Sequence, residues 1–224
     1  MSRITLSQTA PPTLEVKSAP FHSSQQWLSK HETSHWRSWP NILMTQQVYR
    51  QVNKHAASQM DLEVGGMLIG DAFFTPDKEL VVSVDAQVEA RHVEHSAAHL
   101  TFTSKTLNDV HDQIDERYPG KQIVGWYHTH PGLTIFLSSM DIWLHSNFFP
   151  QPWHVALVID TYVSHGGFFY YAGGAMGFIH PKHYAGFYEV IEPGGESIVN
   201  WYNLVQGRAP HEPVLTREGN SHES

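Results

Sequence analysis

Two histidines stand two residues apart in QIVGWYHTH, at His128 and His130, and Asp141 follows eleven residues after the second. The run is β-branched and aromatic, which is typical of a strand, and side chains at positions i and i+2 of a strand share one face. The two imidazoles can therefore meet at one point. The loop PGLTIFLSSM can return the chain so that Asp141, at the start of a helix, reaches the same point. The sequence thus predicts a metal site with ligands His128, His130 and Asp141.

The chain contains no cysteine. This excludes disulfides, thiolate ligands and a cysteine nucleophile, and leaves histidine, carboxylate and water to hold a metal. Catalytic zinc usually has three protein ligands and an open position for water, whereas structural zinc has four protein ligands. Zinc in such a site lowers the pKa of water to about 7, which provides a nucleophile at neutral pH. We therefore predict one Zn²⁺ per chain and a hydrolytic reaction.

Hydrolysis also needs groups that move protons and stabilise negative charge. Glu63 opens a strand that is apolar on both faces, beside Gly65 and Gly66, whose backbones other groups can approach closely. Its carboxylate can take a proton from the attacking water and return it to the leaving amine. Ser138 can donate a hydrogen bond to the developing oxyanion. Two alternatives remain open: Glu63 can pair with a Lys or Arg, and Ser138 with Asp141 has the spacing of a helix capping box.

The segments EVGGMLIG and VGWYHTHPGLTIFLSSMD resemble the JAMM (MPN+, JAB domain) zinc metalloproteases at every motif position, over about residues 45 to 180. The resemblance is to members of the prokaryotic type. It implies the α/β MPN fold, a central mixed β-sheet flanked by helices in a cytidine-deaminase-like layer arrangement. It also implies a deubiquitinase-like isopeptidase or peptidase, in which zinc-activated water and Glu63 as general base cleave the bond after the C-terminus of ubiquitin or a ubiquitin-like protein.

Two other functions fit the same residues. One is a zinc amidohydrolase acting on a sulfur-carrier protein or a small molecule, and the other is a non-catalytic MPN scaffold, against which the intact motif argues. The resemblance implies a ubiquitin-like protein or its conjugate as substrate, and a protein partner or a second MPN domain. Relatives grip substrate with two loops that correspond to residues 89 to 102 and 161 to 167, although no individual substrate-binding residue is identified. Asp160-Thr161 departs from the Asp-Pro common in relatives.

The charge balance and hydropathy exclude other classes of partner. Against 22 Asp and Glu there are 14 Lys and Arg, a formal net charge of -8, with no basic run that could follow a phosphate backbone. We therefore expect no nucleic-acid partner. The N-terminus lacks the pattern of a secretory signal, and no apolar stretch reaches the roughly 20 residues of a membrane span. These features predict a cytoplasmic protein without membrane association.

Periodicity divides the chain into an N-terminal extension over residues 1–40, in which WRSWP can anchor to the core, a catalytic domain over 41–203 and a flexible tail over 204–224. Within the domain, Val48, Val52, Ala56 and Met60 form one stripe of a helix capped by Thr45. Two further helices are predicted within 103–120 and 138–149. Strands are predicted in 62–70, 79–90, 122–130, 153–160 and 166–174.

The remaining histidines and tryptophans receive separate predictions. His92, His95 and His99 are spaced three and four residues apart, so on a helix they would share one face and could form a second metal site. Without a helix, no such site is expected. His145 lies one turn after Asp141, but a fourth protein ligand would close the site, so a surface position or one behind the ligands is expected. The tryptophans of apolar runs are expected in the core, namely Trp126, Trp143 and Trp153.

Overall fold

The computed structural model describes residues 13–31, 40–90, 93–96, 99–102, 104–172 and 178–207. Most of WRSWP, His92 and the end of the predicted tail lie outside these residues. The helices are α1 Gln46–Ser58, α2 Ser104–Arg117 and α3 Ser139–Phe148. The strands are β1 Glu15–Val16, β2 Ser24–Ser29, β3 Asn41–Thr45, β4 Gly65–Phe74, β5 Leu80–Glu89, β6 Val93–Ser96, β7 His99–Phe102, β8 Gln122–Thr129, β9 Val155–Asp160, β10 His165–Ala172, β11 Phe178–Ile179, β12 Phe187–Val190 and β13 Leu204–Gln206.

A single mixed sheet contains every described strand except β6 and β7, which form a separate hairpin. Its order is β11-β10-β9-β8-β4-β5-β3-β12-β2-β13, and β1 pairs with β4. Strand β8 runs antiparallel to β4 and parallel to β9. A parallel pair needs a crossover connection, which α3 provides. The ends of β8 and β9 and the start of β4 therefore meet at one edge of the sheet, where the predicted site residues are expected.

Helices cover both faces of β8. The Tyr127 hydroxyl lies 2.8 Å from Nδ1 of His55 in α1, whereas Nε1 of Trp126 donates to Nδ1 of His145 in α3 at 3.0 Å. Because adjacent residues of a strand point to opposite faces, α1 and α3 lie on opposite sides of the sheet. The predicted α/β class, with a mixed sheet flanked by helices, is confirmed.

Helix α1 follows the predicted stripe over most of its length. The Thr45 side chain accepts a hydrogen bond from the Val48 amide at 3.3 Å and so caps the helix. Val48, Val52 and Ala56 are fully buried, and each buried valine contributes about 1.5–3 kcal/mol of hydrophobic free energy. Met60 is an error in the prediction, since the helix ends before it and its side chain is 39% exposed.

The other predicted elements are also present, with bounds shifted by a few residues. Helix α2 buries Val110 and Ile114, and Tyr118 packs against the core from just beyond the helix, whereas the side chain of Leu107 lies outside the described part. The five predicted strands correspond to β4, β5, β8, β9 and β10. Among the described residues, no helix is both long and apolar enough to cross a membrane.

Strands from the predicted N-terminal extension and from the start of the predicted tail join the central sheet. Strand β2, within the predicted extension, pairs antiparallel with β12 and with β13, and β13 lies within the predicted tail. Trp27 of β2 donates from Nε1 to the buried Glu189 carboxylate at 3.1 Å. The same carboxylate accepts from Gln46 at 2.7 Å and from the Ile198 amide at 2.8 Å. The polar segment SQQWLS can lie inside the sheet because its donors find partners there: besides the Trp27 indole, the Gln26 amide donates to the Tyr188 hydroxyl at 2.9 Å and the Ser29 hydroxyl donates to the Tyr184 carbonyl at 2.6 Å.

Candidate metal centre

His128, His130 and Asp141 converge at the carboxyl end of β8. The two Nε2 atoms of the histidines lie 2.9 Å apart. Oδ1 of Asp141 is 3.5 Å from Nε2 of His128, and Oδ2 of Asp141 is 3.7 Å from Nε2 of His130. One ligand atom from each residue lies within 4.8 Å of the others, and both imidazoles are buried. The structure thus brings together the three residues predicted as metal ligands.

Local structure explains how the two histidines face the same way. His128 lies in β8 opposite Gly65 of β4. His130 follows the end of the strand, but its amide still donates to the carbonyl of Ile159 at 2.9 Å, which continues the pairing between β8 and β9. Strand geometry therefore extends through both histidines, and their side chains project from one face.

These donors fit a divalent metal. Two imidazole nitrogens 2.9 Å apart can share only one proton, so at least one of them presents a lone pair towards the other ligands. Burial alone would raise the pKa of Asp141, but the imidazoles of His128 and His130 and the Ser138 hydrogen bond outweigh burial and lower it. The carboxylate therefore stays charged. Two nitrogens bound to tetrahedral zinc at about 2.0–2.1 Å lie about 3.3 Å apart. The two Nε2 atoms, now 2.9 Å apart, would therefore need to separate by only a few tenths of an ångström to bind zinc together.

Glu63 precedes β4 at the same edge of the sheet. The Val64 amide donates to Oγ1 of Thr129 at 2.9 Å, and the Thr129 amide donates to the Val64 carbonyl at 2.9 Å. Continued by one residue, this register places Glu63 opposite His130, and directly opposed residues of antiparallel strands share a face. Glu63 is partly exposed and forms no ion pair within the described part of the chain. Its role as general base stays a prediction.

Ser138 caps α3, as the capping-box alternative predicts. Its Oγ accepts from the Asp141 amide at 3.2 Å, while its own amide donates to Oδ2 of Asp141 at 2.7 Å. The box therefore also holds the carboxylate that faces the histidines. Because Oγ acts as an acceptor in the cap, its O–H proton can still be donated elsewhere. The oxyanion role of Ser138 stays a prediction.

Asp160 organises the loop between His130 and α3. From the sequence alone, the Asp160-Thr161 pair was noted only as a departure from the Asp-Pro of relatives. The buried Asp160 carboxylate accepts from the amides of Gly132 at 3.0 Å, Thr134 at 2.8 Å and Tyr162 at 3.0 Å. Gly132 has φ +70° and Thr134 has φ +73°. The left-handed conformation is costly for a β-branched residue, so these hydrogen bonds hold a strained path between His130 and α3.

Asp160→Ala is expected to lower the free energy of unfolding by about 3 kcal/mol, because three amides lose a buried acceptor. Urea denaturation measures this loss. Asp61→Ala is the matched control, because Asp61 is exposed and accepts a surface hydrogen bond from the Tyr162 hydroxyl at 3.2 Å. It should change stability by less than about 0.5 kcal/mol. Equal losses in the two variants would show that the loop does not depend on Asp160.

His145 is fully buried, so the expected surface position is wrong and the position behind the ligands is correct. It accepts from Trp126 through Nδ1, and its Nε2 has no hydrogen-bond partner within the described part of the chain. Burial lowers the pKa of His145 to about 3 and that of the neighbouring core residue His154 to about 4. Both rings are therefore neutral near pH 7.

Acid is expected to destabilise the protein through these two histidines. In the unfolded chain their pKa is about 6.5, so between pH 6.5 and about 4 the unfolded state binds protons that the folded state does not. The contribution of these neutral rings to the free energy of unfolding is fully present above pH 6.5. It decreases as the pH falls, by about 2 kcal/mol per histidine at pH 5. Urea denaturation at pH 7.5 and pH 5 tests this: His154→Gln should shrink the difference by about 2 kcal/mol. Substitution of the exposed His22 by Gln should leave it unchanged.

The tryptophans divide differently from the prediction. Trp126 and Trp153 are buried in the core as predicted, but Trp143 is 54% exposed on α3. The second histidine cluster does not form a helix face, since His95 and His99 lie in the strands β6 and β7, and His92 lies outside the described residues. The structure therefore does not support the helical arrangement on which a second metal site depended.

Comparison with known proteins identifies the family. Residues 38–149, half of the chain, match the family described as JAB1/Mov34/MPN/PAD-1 ubiquitin protease. The chain belongs to this family. The match contains all five predicted site residues, and it confirms the resemblance and the MPN fold expected from the motif.

Three relatives illustrate the range of this MPN family. NAD(+) hydrolase TcpA from Theionarchaea archaeon (strain DG-70-1) is 31% identical over 46% of this chain. COP9 signalosome complex subunit 5 from Candida glabrata is 26% identical over 56% of the chain, and ubiquitin carboxyl-terminal hydrolase RPN11 from Saccharomyces cerevisiae is 32% identical over 40%. The aligned part is only 28% of each relative's length. The likeness is therefore one of domains rather than of whole proteins.

Proposed function

We propose that this MPN protein is a zinc-dependent isopeptidase or peptidase that cleaves the bond after the C-terminus of ubiquitin or a ubiquitin-like protein, in deconjugation or precursor processing. The observation that carries the proposal is the convergence of His128, His130 and Asp141 within 4.8 Å at the sheet edge where Glu63 also lies. Two relatives with aligned domains carry names that connect them with ubiquitin hydrolysis or the COP9 signalosome.

The three ligands would hold one zinc ion per chain and leave a position open for water. When bound, zinc would supply the Lewis acidity that activates this water and polarises the scissile carbonyl. His128 and His130 would bind as neutral rings, and the charged Asp141 would offset part of the metal's charge. The capping box with Ser138 keeps the Asp141 carboxylate oriented before the metal arrives.

Glu63 and Ser138 would perform the proton transfer and the oxyanion stabilisation. The Glu63 carboxylate, at the partly exposed edge of the site, would accept a proton from the attacking water and deliver it to the leaving amine. The Ser138 hydroxyl would donate to the carbonyl oxygen as negative charge develops there. Its function as N-cap is compatible with this donation, since the cap uses Oγ as an acceptor.

Purified protein should cleave a C-terminal fusion of ubiquitin, or of a ubiquitin-like protein from the same organism. Activity should disappear on chelation and return when zinc is added. Cleavage of small amides but of neither fusion would favour the amidohydrolase. A fully zinc-loaded protein that cleaves neither class, alone or with a partner MPN protein, would contradict the proposal and favour a scaffold.

A further inference from the structure

An indole ring lies flat behind the first metal ligand. The rings of Trp126 and His128 are nearly parallel, with an interplanar angle of 11° and centroids 4.6 Å apart. Both side chains are fully buried. The two residues are two positions apart in β8 and therefore project from the same face of the sheet. The indole thus limits the positions that the His128 imidazole can occupy.

The same indole is tied to the helix that carries the third ligand. Nε1 of Trp126 donates to Nδ1 of His145 at 3.0 Å. His145 lies one helical turn after Asp141 in α3 and is packed against Tyr171, with ring centroids 4.9 Å apart. Burial keeps the imidazole neutral at pH 7, so its Nδ1 offers the lone pair that the indole N–H needs. A buried hydrogen bond therefore links β8 to α3 immediately behind the ligands.

We propose that Trp126 and His145 act as a positioning pair that sets the distance between the strand-borne ligands His128 and His130 and the helix-borne ligand Asp141. This inference rests on the proposed metal site. On the loop side of the site, Asp160 holds residues 132 and 134 and Ser138 holds Asp141. The Trp126–His145 hydrogen bond holds the side away from the loop.

Loss of this hydrogen bond should weaken metal binding, because the two parts of the site would no longer be held at the separation that the metal requires. Groups that orient metal ligands typically change metal affinity by about 10- to 100-fold when they are substituted. Trp126→Phe retains an aromatic ring beside His128 but removes the donor. His145→Leu removes the acceptor, whereas His145→Gln keeps a carbonyl acceptor at a similar reach.

The experiment measures the zinc Kd by competition with a chromophoric chelator and the absorption spectrum of the Co²⁺-substituted protein. Trp126→Phe and His145→Leu should raise the zinc Kd about 10-fold or more and alter the cobalt spectrum. His145→Gln should stay within about threefold of the wild type. The double variant should bind zinc no more weakly than the weaker single variant, because both remove the same hydrogen bond.

Trp153→Phe is the matched control. Trp153 is also buried, but its Nε1 has no hydrogen-bond partner within the described residues. This variant should leave the zinc Kd within about twofold of the wild type. Unchanged Kd and cobalt spectrum in both Trp126→Phe and His145→Leu would overturn the positioning role while leaving the proposed hydrolase intact. Wild-type protein that binds zinc but cleaves no substrate would overturn only the hydrolase, and wild-type protein that binds no zinc would overturn both.

Discussion

Glu63→Gln is expected to lower kcat by about 10²- to 10⁴-fold while zinc stays bound at one equivalent per chain. The amide has almost the shape of the carboxylate but cannot take a proton from water. Since Glu63 forms no ion pair among the described residues and is partly exposed, the substitution should leave the fold intact. Metal analysis and the rate of cleavage of the fusion substrate, measured on the same preparation, separate zinc loss from loss of the base.

Glu79→Gln is the matched control for this prediction. Glu79 is an exposed glutamate in the turn between β4 and β5, at the opposite end of β4 from Glu63. Its substitution should change neither kcat nor zinc content. If Glu63→Gln kept the wild-type kcat, the assignment of the general base would be wrong, even with the metal site intact.

Asp141→Asn is expected to raise the zinc Kd at least about 100-fold and to abolish turnover at limiting zinc, because a neutral amide oxygen is a much weaker ligand than a carboxylate. The Asn oxygen can still accept from the Ser138 amide, so α3 should remain capped. The melting temperature tests this: added zinc should raise the Tm of the wild type but not that of the variant.

The exposed Asp115 of α2 supplies the control for Asp141. Asp115→Asn makes the same chemical change at an exposed helix position outside the set of candidate ligands, and should retain both the zinc Kd and the Tm rise. A zinc-dependent Tm rise in Asp141→Asn equal to that of the wild type would contradict the ligand assignment.

The convergence of the three candidate ligands was predictable because it depends on local geometry. Alternate residues of a strand share one face, which places His128 and His130 side by side. A short loop then brings Asp141 back to them, and all three residues lie within a stretch of fourteen. The close approach of neighbouring groups to Gly66 was also predicted from the sequence. A Cβ at this position would lie 2.2 Å from the carbonyl oxygen of Val88 and 2.8 Å from the Tyr127 ring. Such close approach tolerates only glycine.

The parts that sequence reasoning missed depend on neighbours distant in the chain. Asp160 ends an apolar run, but only the parallel pairing of β8 with β9 brings it to the loop after His130. Apolar residues lie all round α3, so periodicity could not show that His145 faces the core and Trp143 faces solvent. A polar segment such as SQQWLS carries no alternation that would predict β2.

The place of β2 in the sheet bears on how the protein folds. Both strands that pair with β2 come from late in the chain, at Phe187–Val190 and Leu204–Gln206, and the Trp27–Glu189 hydrogen bond spans 162 positions. Contacts so distant in sequence form slowly, because the entropy of closing a long loop is lost before any pairing is gained. On the ribosome, the strands around β8 can pair while synthesis continues, whereas β2 has no partner until residue 190 has emerged and is paired on both sides only after residue 206. The half of the sheet that holds His128 and His130 can therefore assemble before the half that closes the domain.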